Sequence, residues 1–90
     1  MIERDANLCR LGGDVTLQTV PDLLQEVRPL IQSGVDTLDC AAIANVDSSA
    51  LGLLLACKRE AVSRQRDIKL INLPSSLHSL ASLYGLADQL

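Results

Sequence analysis

From Leu8 onward the spacing of apolar residues switches repeatedly between a period of two and a period near 3.6. Alternation marks a strand with one buried face, and the longer period marks an amphipathic helix. The spacing predicts strands over Leu8 to Leu11, Asp36 to Ala41 and Ile68 to Leu73, with Met1 to Arg4 as a first edge strand before a turn at Asp5-Ala6-Asn7. Gly12-Gly13-Asp14 is expected to break the second strand. A helix opens at Thr19-Val20-Pro21-Asp22, with Thr19 as N-cap and Pro21 in the first turn, and closes at Ser33-Gly34. Its stripe is Val20, Leu23, Leu24, Val27, Leu30 and Ile31, and Pro29 predicts a kink or an irregular last turn. A second helix is predicted from Ser48 to Arg64. A third begins at Pro74-Ser75-Ser76, lines one face with Leu77, Leu80, Ala81 and Tyr84, and ends in a left-handed Gly85. The order β-β-α-β-α-β-α implies an α/β fold: a mixed, largely parallel sheet of about four strands with three main helices packed on it. The near-continuous apolar run Ile68 to Leu73 predicts a strand buried on both faces.

Ninety residues make one domain, 1–90, and 48% apolar residues suffice for its core. One Tyr and no Phe or Trp leave Leu, Ile, Val and Ala to build that core, and remove the stacking platforms that single-stranded nucleic acid needs. A net charge of −3 without a basic run argues against DNA or RNA as a partner. No run of 18 apolar residues and no signal pattern over Met1 to Arg10 points to a cytoplasmic protein without direct membrane insertion. Cys9, Cys40 and Cys57 form no CxxC pair and read as small core residues with reduced thiols.

The densest information lies in Asn45-Val46-Asp47-Ser48-Ser49-Ala50-Leu51-Gly52-Leu53-Leu54-Leu55. Asp and Ser side chains cap helices by accepting from the first free backbone N–H groups. Asp47-Ser48-Ser49 therefore reads either as a cap alone or as a hydroxyl-rich tip at the positive end of a helix dipole. On a wheel at about 100° per residue, Leu51, Leu54, Leu55, Ala61 and Val62 point to the core. Gly52, Leu53, Ala56 and Glu60 then lie on the other side, near Ser49, with Leu53 beside Gly52 and Ala56 forming a flat apolar patch for a partner. Lys58 falls near the centre of the core stripe, which requires its stem to lie along apolar surface while its amine reaches water. Asp39, on the second face of its strand, reads as a structural hydrogen-bonding group.

Chemistry of other kinds finds little footing. The single His78 sits between Leu77 and Ser79 with no sign of approaching Ser48 or Ser49, so a Ser-His-Asp triad is not indicated. A serine flanked by the glycines of a nucleophile elbow, a Walker lysine and a His/Cys metal cluster are all missing. The expectation is a protein that is not an enzyme and holds no cofactor or metal.

Asp-Ser-Ser-x-Leu-Gly-x-Leu-Leu, preceded by Leu38-Asp39 and the segment from Ile43 to Val46, resembles the signature of STAS domains. The resemblance extends through Leu11-Gly12-Gly13, Thr19-Val20-Pro21 and Asp67 to Leu73. It implies a STAS-like fold and a partner-binding surface at Asp47, Ser48, Ser49, Gly52, Leu53 and Ala56. In the anti-sigma factor antagonists of this family the residue after the motif Asp is a phosphorylated serine, and here that position is Ser48. The ending Leu80-Ala81-Ser82-Leu83-Tyr84-Gly85-Leu86 resembles that of the small STAS subunit of the Mla phospholipid-transport ABC system. That likeness implies a cytoplasmic subunit, held at the inner membrane through the transporter, that binds and regulates the ATPase subunit of a system maintaining outer-membrane lipid asymmetry. The alternative it leaves open is an anti-sigma factor antagonist switched at Ser48 by an anti-sigma factor kinase. A nucleotide-binding STAS protein is a weaker third reading, since no phosphate loop is present.

Overall fold

Two residues, Ala6 and Asn7, turn the chain between the first strands. β1 (Ile2–Asp5) and β2 (Leu8–Val15) pair antiparallel across them, and Ala6 takes a positive φ of 53°. The remaining pairings are parallel and need helical crossovers. α1 (Val20–Gln32) leads to β3 (Thr37–Val46), and α2 (Ser48–Ser63) leads to β4 (Lys69–Ile71). The sheet order is β1-β2-β3-β4, and α3 (Ser75–Leu83) with a short 3-10 turn (Ala87–Gln89) completes the chain. This computed structural model describes residues 1–90.

Strand alternation puts Cys9, Leu11, Leu38 and Cys40 in the core, and one extra residue in β3 after Asp39 returns Ile43 to the same face. Arg10, Ala41, Ala42 and Ala44 lie exposed and Asp39 half-buried on the other side, so the helices cover one face and leave the second open. The core holds 19 buried residues, all Leu, Ile, Val, Ala or Cys, and no buried polar residue. All three cysteines are buried. Burial raises the Cys9 thiol and pushes Cys40 and Cys57 up to about 12, so none is a thiolate near neutrality.

Three expectations are corrected here. Gly12-Gly13 does not end β2. The strand runs through to Val15 because β3 takes up one extra residue on each side of the pair, between Asp39 and Ala42 and between Ile43 and Val46, while Gly13 sits at φ 78°. β4 is an edge strand of three residues, with Leu70 and Ile71 only half-buried. Tyr84 lies outside the face that Leu77 and Ala81 bury, 56% exposed.

All three helices stop in the same way. The amides of Gly34, Gln65 and Gly85 return to Ile31, Val62 and Ser82, and those of Val35, Arg66 and Leu86 return to Leu30, Ala61 and Ala81. This paired closure satisfies the last carbonyls and needs a left-handed residue at the first position. Gly34 and Gly85 supply it freely, whereas Gln65 adopts φ 58° with a full side chain. In α1 the helix runs unbroken through Pro29 to Gln32, and the Ser33 amide is shared between the carbonyls of Pro29 (3.0 Å) and Leu30 (3.2 Å), as is common at helix ends.

Candidate functional site

β3 delivers the chain to the N-terminus of α2, and the turn there is built around Asp47. Its backbone is extended (φ −131°, ψ −172°), as an N-cap requires. One carboxylate oxygen accepts from the Ser49 amide at 2.8 Å and caps the helix. The other accepts from the Leu17 amide at 2.9 Å, thirty residues away in the loop between β2 and α1. Asp47 is thus a cap and a clamp together. The Leu17 bond, joined by bonds from Ser49, holds its carboxyl below the ordinary carboxylate value against a smaller opposing effect of desolvation. Lowering moves the group away from neutrality, so Asp47 suits anchoring and not proton transfer.

The clamped loop has its own scaffold. Thr19 occupies the N-cap position of α1 but makes no side-chain cap. Its hydroxyl accepts from the Thr16 amide (2.9 Å) and donates to the Asp14 carbonyl (2.9 Å). The Asp14 carboxylate accepts from the side-chain amide of Asn45 at 2.9 Å, joining the ends of β2 and β3. Strand ends, loop and helix start are therefore one hydrogen-bonded unit.

Along α2 this unit presents small, uncharged residues outward. Ser48 is exposed and its hydroxyl makes no hydrogen bond within the chain. Ser49 and Ala56 are half-buried, and Gly52, one turn beyond Ser48, is exposed. A Cβ added at Gly52 would meet nothing within 4 Å. Ser48, Gly52 and Ala56 follow one another at intervals of four, so they share one outward stripe.

Leu53 does not belong to that stripe. It is 1% exposed and packs in the core with Ala50, Leu54, Cys57 and Ala61. The expected flat patch of Gly52, Leu53 and Ala56 is corrected accordingly, as is the expectation that Val62 is core, since it is 66% exposed. The buried face of α2 is rotated roughly 70° from the predicted one, taking 100° per residue. The reason is that α2 packs against both α1 and α3 as well as the sheet, which widens its buried face toward Ala50, Leu53 and Cys57. Lys58 at the centre of the predicted stripe was the visible sign of this rotation.

Leu17 is the residue that sequence reasoning missed. It is 73% exposed at the tip of the clamped loop, and its amide is tied to the residue that precedes Ser48. The sequence concealed it, because Leu17 continues the alternation of Val15 and also stands three residues before Val20 and seven before Leu24, so it reads as one more core position of either element. Asp39 lies elsewhere, on the open sheet face. It accepts from the Asn72 side chain and the Ala41 amide (both 3.0 Å) and approaches Arg10 at 4.0 Å. The Asn72 bond is the main cause of its lowered pKa. His78 is an exposed residue on α3.

A family model described as Mlab, STAS domain, matches residues 2–90. Among solved structures, the anti-sigma factor antagonist SpoIIAA in its unphosphorylated form superposes with a TM-score of 0.72, at 21% identity over 98% of this chain and 82% of that one. The Bacillus cell fate determinant SpoIIAA in the phosphorylated form gives 0.67 at 22% identity, over 98% of this chain and 85% of that one. A protein described as Mglu gives 0.60 at 17% identity, over 80% of this chain and 19% of that one. No curated protein matches the chain. The likenesses to SpoIIAA agree with the four-stranded mixed sheet and three helices described above.

Proposed function

We propose a docking function for this protein, and the premise is that the chain belongs to the STAS domain family. It acts as a regulatory subunit that binds the ATPase of an Mla-type phospholipid-transport ABC system through the exposed N-terminal end of α2. The observation that carries this reading is how Asp47 is used. Both its oxygens are engaged by backbone amides, one of the helix and one of the loop, while Ser48 and the Leu17 side chain are exposed. A small-residue stripe beside one apolar anchor, with the neighbouring carboxylate already satisfied, suits a packed protein contact. The family description that matches the chain, Mlab, STAS domain, is what turns this reading toward an Mla-type system. Regulation follows if the contact is stronger in one arrangement of the ATPase than in another, since only such a difference shifts an equilibrium. No helix is long and apolar enough to cross a membrane, so association with the membrane would pass through the transporter.

The test uses a purified Mla-type ATPase from the same cell. Addition of the protein should change its hydrolysis rate. Ser48→Ala should weaken binding only by about 0.5–1.5 kcal/mol, one interfacial hydrogen bond. Ser48→Asp should abolish it by placing an unpaired carboxylate in the contact. An ATPase that neither binds nor responds to the protein would defeat the proposal.

A specific observation favours a second reading. The free Ser48 hydroxyl stands at a helix N-terminus, where the helix dipole would favour a phosphate. The similar fold of SpoIIAA is known in unphosphorylated and phosphorylated forms. On this reading the protein is an anti-sigma factor antagonist, and a kinase adds about −2 charge to the docking surface. Intact-mass analysis of the protein from its native cell separates the two. A phosphorylated fraction that varies with growth condition supports the switch, and a constant unmodified mass supports the transporter subunit.

A further inference from the structure

The rotation of α2 leaves part of its apolar surface without a neighbour. Leu55, Lys58, Arg59, Val62 and Ser63 follow at i, i+3, i+4, i+7 and i+8, and with Gln89 of the C-terminal 3-10 turn they line a groove of about 560 Å³. Leu55 lies seven residues past Ser48, roughly 10 Å along the helix. The groove is therefore distinct from the tip of the docking surface. Its volume falls in the range of about 300–1,000 Å³ typical of small-molecule sites. Its walls are mostly carbon, because the Lys58 and Arg59 stems add to Leu55 and Val62.

The charge on this groove has one sign. No carboxylate side chain lines it, although the chain as a whole carries −3. Arg59 is the arginine left without a partner. Arg10, Arg28 and Arg64 pair with carboxylates, and Arg4 and Arg66 donate to backbone carbonyls. Arg59 makes neither an ion pair nor a hydrogen bond, and it is exposed. The nearest acid on its helix, Glu60, is already engaged by Arg28 (3.8 Å) and Arg64 (3.4 Å). Lys58 reaches the Ile68 carbonyl by a long bond of 3.4 Å, leaving most of its donor capacity free.

We propose that this groove binds a small amphipathic anion, an aliphatic body ending in a carboxylate or a phosphate monoester. The body lies on Leu55 and Val62, and the anionic head is met by Arg59 with Lys58 beside it. Arginine's planar fork matches either head bidentately, which is why the head's identity is left to the test.

The experiment is a titration of the 15N-labelled protein, followed by amide shifts, with octanoate, octyl phosphate, octanol and octylammonium. Saturable shifts confined to residues 55–63 and the C-terminal turn are expected with the two anions. Octanol and octylammonium should bind at least ten-fold more weakly. Tighter binding of octyl phosphate than of octanoate would assign a phosphate head, and the reverse a carboxylate. Arg59→Glu should lose the anions and gain octylammonium, and Val62→Asp should weaken octanoate while leaving the amide spectrum dispersed. Both positions are exposed, so each variant should fold. No saturable shift, shifts scattered over the surface, equal binding of octylammonium, or octanoate binding unaffected by Arg59→Glu would each overturn the proposal.

Discussion

The two ends of α2 are built by opposite means. At the N-terminal end, hydrogen bonds from three segments meet at Asp47, Asp14 and Thr19, and they fix a loop, a strand end and a helix start in one arrangement. At the C-terminal half, half-buried Leu55 and exposed Arg59 and Val62 form a surface that no other element covers fully. A hydrogen-bonded end specifies geometry, which recognition of one protein partner needs. An end defined by apolar walls and unpaired cations specifies only shape and sign, which suits a less demanding ligand. Both ends share an apolar spine, so the comparison holds only while that spine is intact.

Breaking the spine gives the largest effect. Leu53 is 1% exposed, and Leu53→Ala should cost about 2–5 kcal/mol, its transfer free energy plus a cavity. Chemical denaturation measures this, and amide exchange should show protection at Leu17 and at residues 55–63 falling together. Loss smaller than 1 kcal/mol would place Leu53 on the surface after all.

Asp47 separates the two ends. Asp47→Asn should loosen the loop and the first turn of α2 while the groove keeps its structure. Exchange at the Leu17 and Ser49 amides should rise, and amides past Leu55 should not change. The pH dependence follows the sign of its shift. A carboxyl whose folded pKa is depressed adds stability that is present above its ordinary value, 3.8 for this group. That stability is lost as pH falls through the folded value. Denaturant melts of the wild type should therefore weaken below about pH 4, and Asp47→Asn should flatten that decline. Asp39, also depressed by its bond to Asn72, contributes the part that remains. An unchanged acid slope in Asp47→Asn would show that the clamp does not stabilise the fold.

Local chemistry made much of this legible from the chain alone. Asp47 as a cap, Gly34 and Gly85 as helix stops and the strand and helix order are each written in residue types with short-range preferences. The readings that failed depend on distant neighbours. The face α2 buries is decided by α1 and α3 on its flanks, so a wheel drawn from α2 alone set Leu53 outside and Val62 inside. Gly12-Gly13 is punctuation in isolation and a paired part of β2 once β3 lies alongside, opposite Ala42 and Ile43. The apolar run of β4 looks central, yet only Thr37, Leu38 and Asp39 pair with it and no further strand follows. Leu17 gained meaning only when a carboxylate thirty residues away reached its amide. The stop of α2 near Arg64 was legible as well, although the left-handed residue that makes it is Gln65 and not a glycine.

Gly52 gives the most direct test of the docking claim, through a change of one methyl group. It lies inside α2, exposed, where alanine meets no obstacle within 4 Å. Glycine in a helix interior is about 0.5–1 kcal/mol less stable than alanine. Gly52→Ala should therefore raise the stability of the free protein by that amount. If the stripe through Ser48 and Gly52 is packed against an ATPase, the same methyl should weaken binding, by about 1–3 kcal/mol for an overpacked contact. Melting and partner affinity measured on the same preparation decide it. A more stable protein that binds more weakly is the result this account predicts, and a more stable protein that binds as well as the wild type would contradict it.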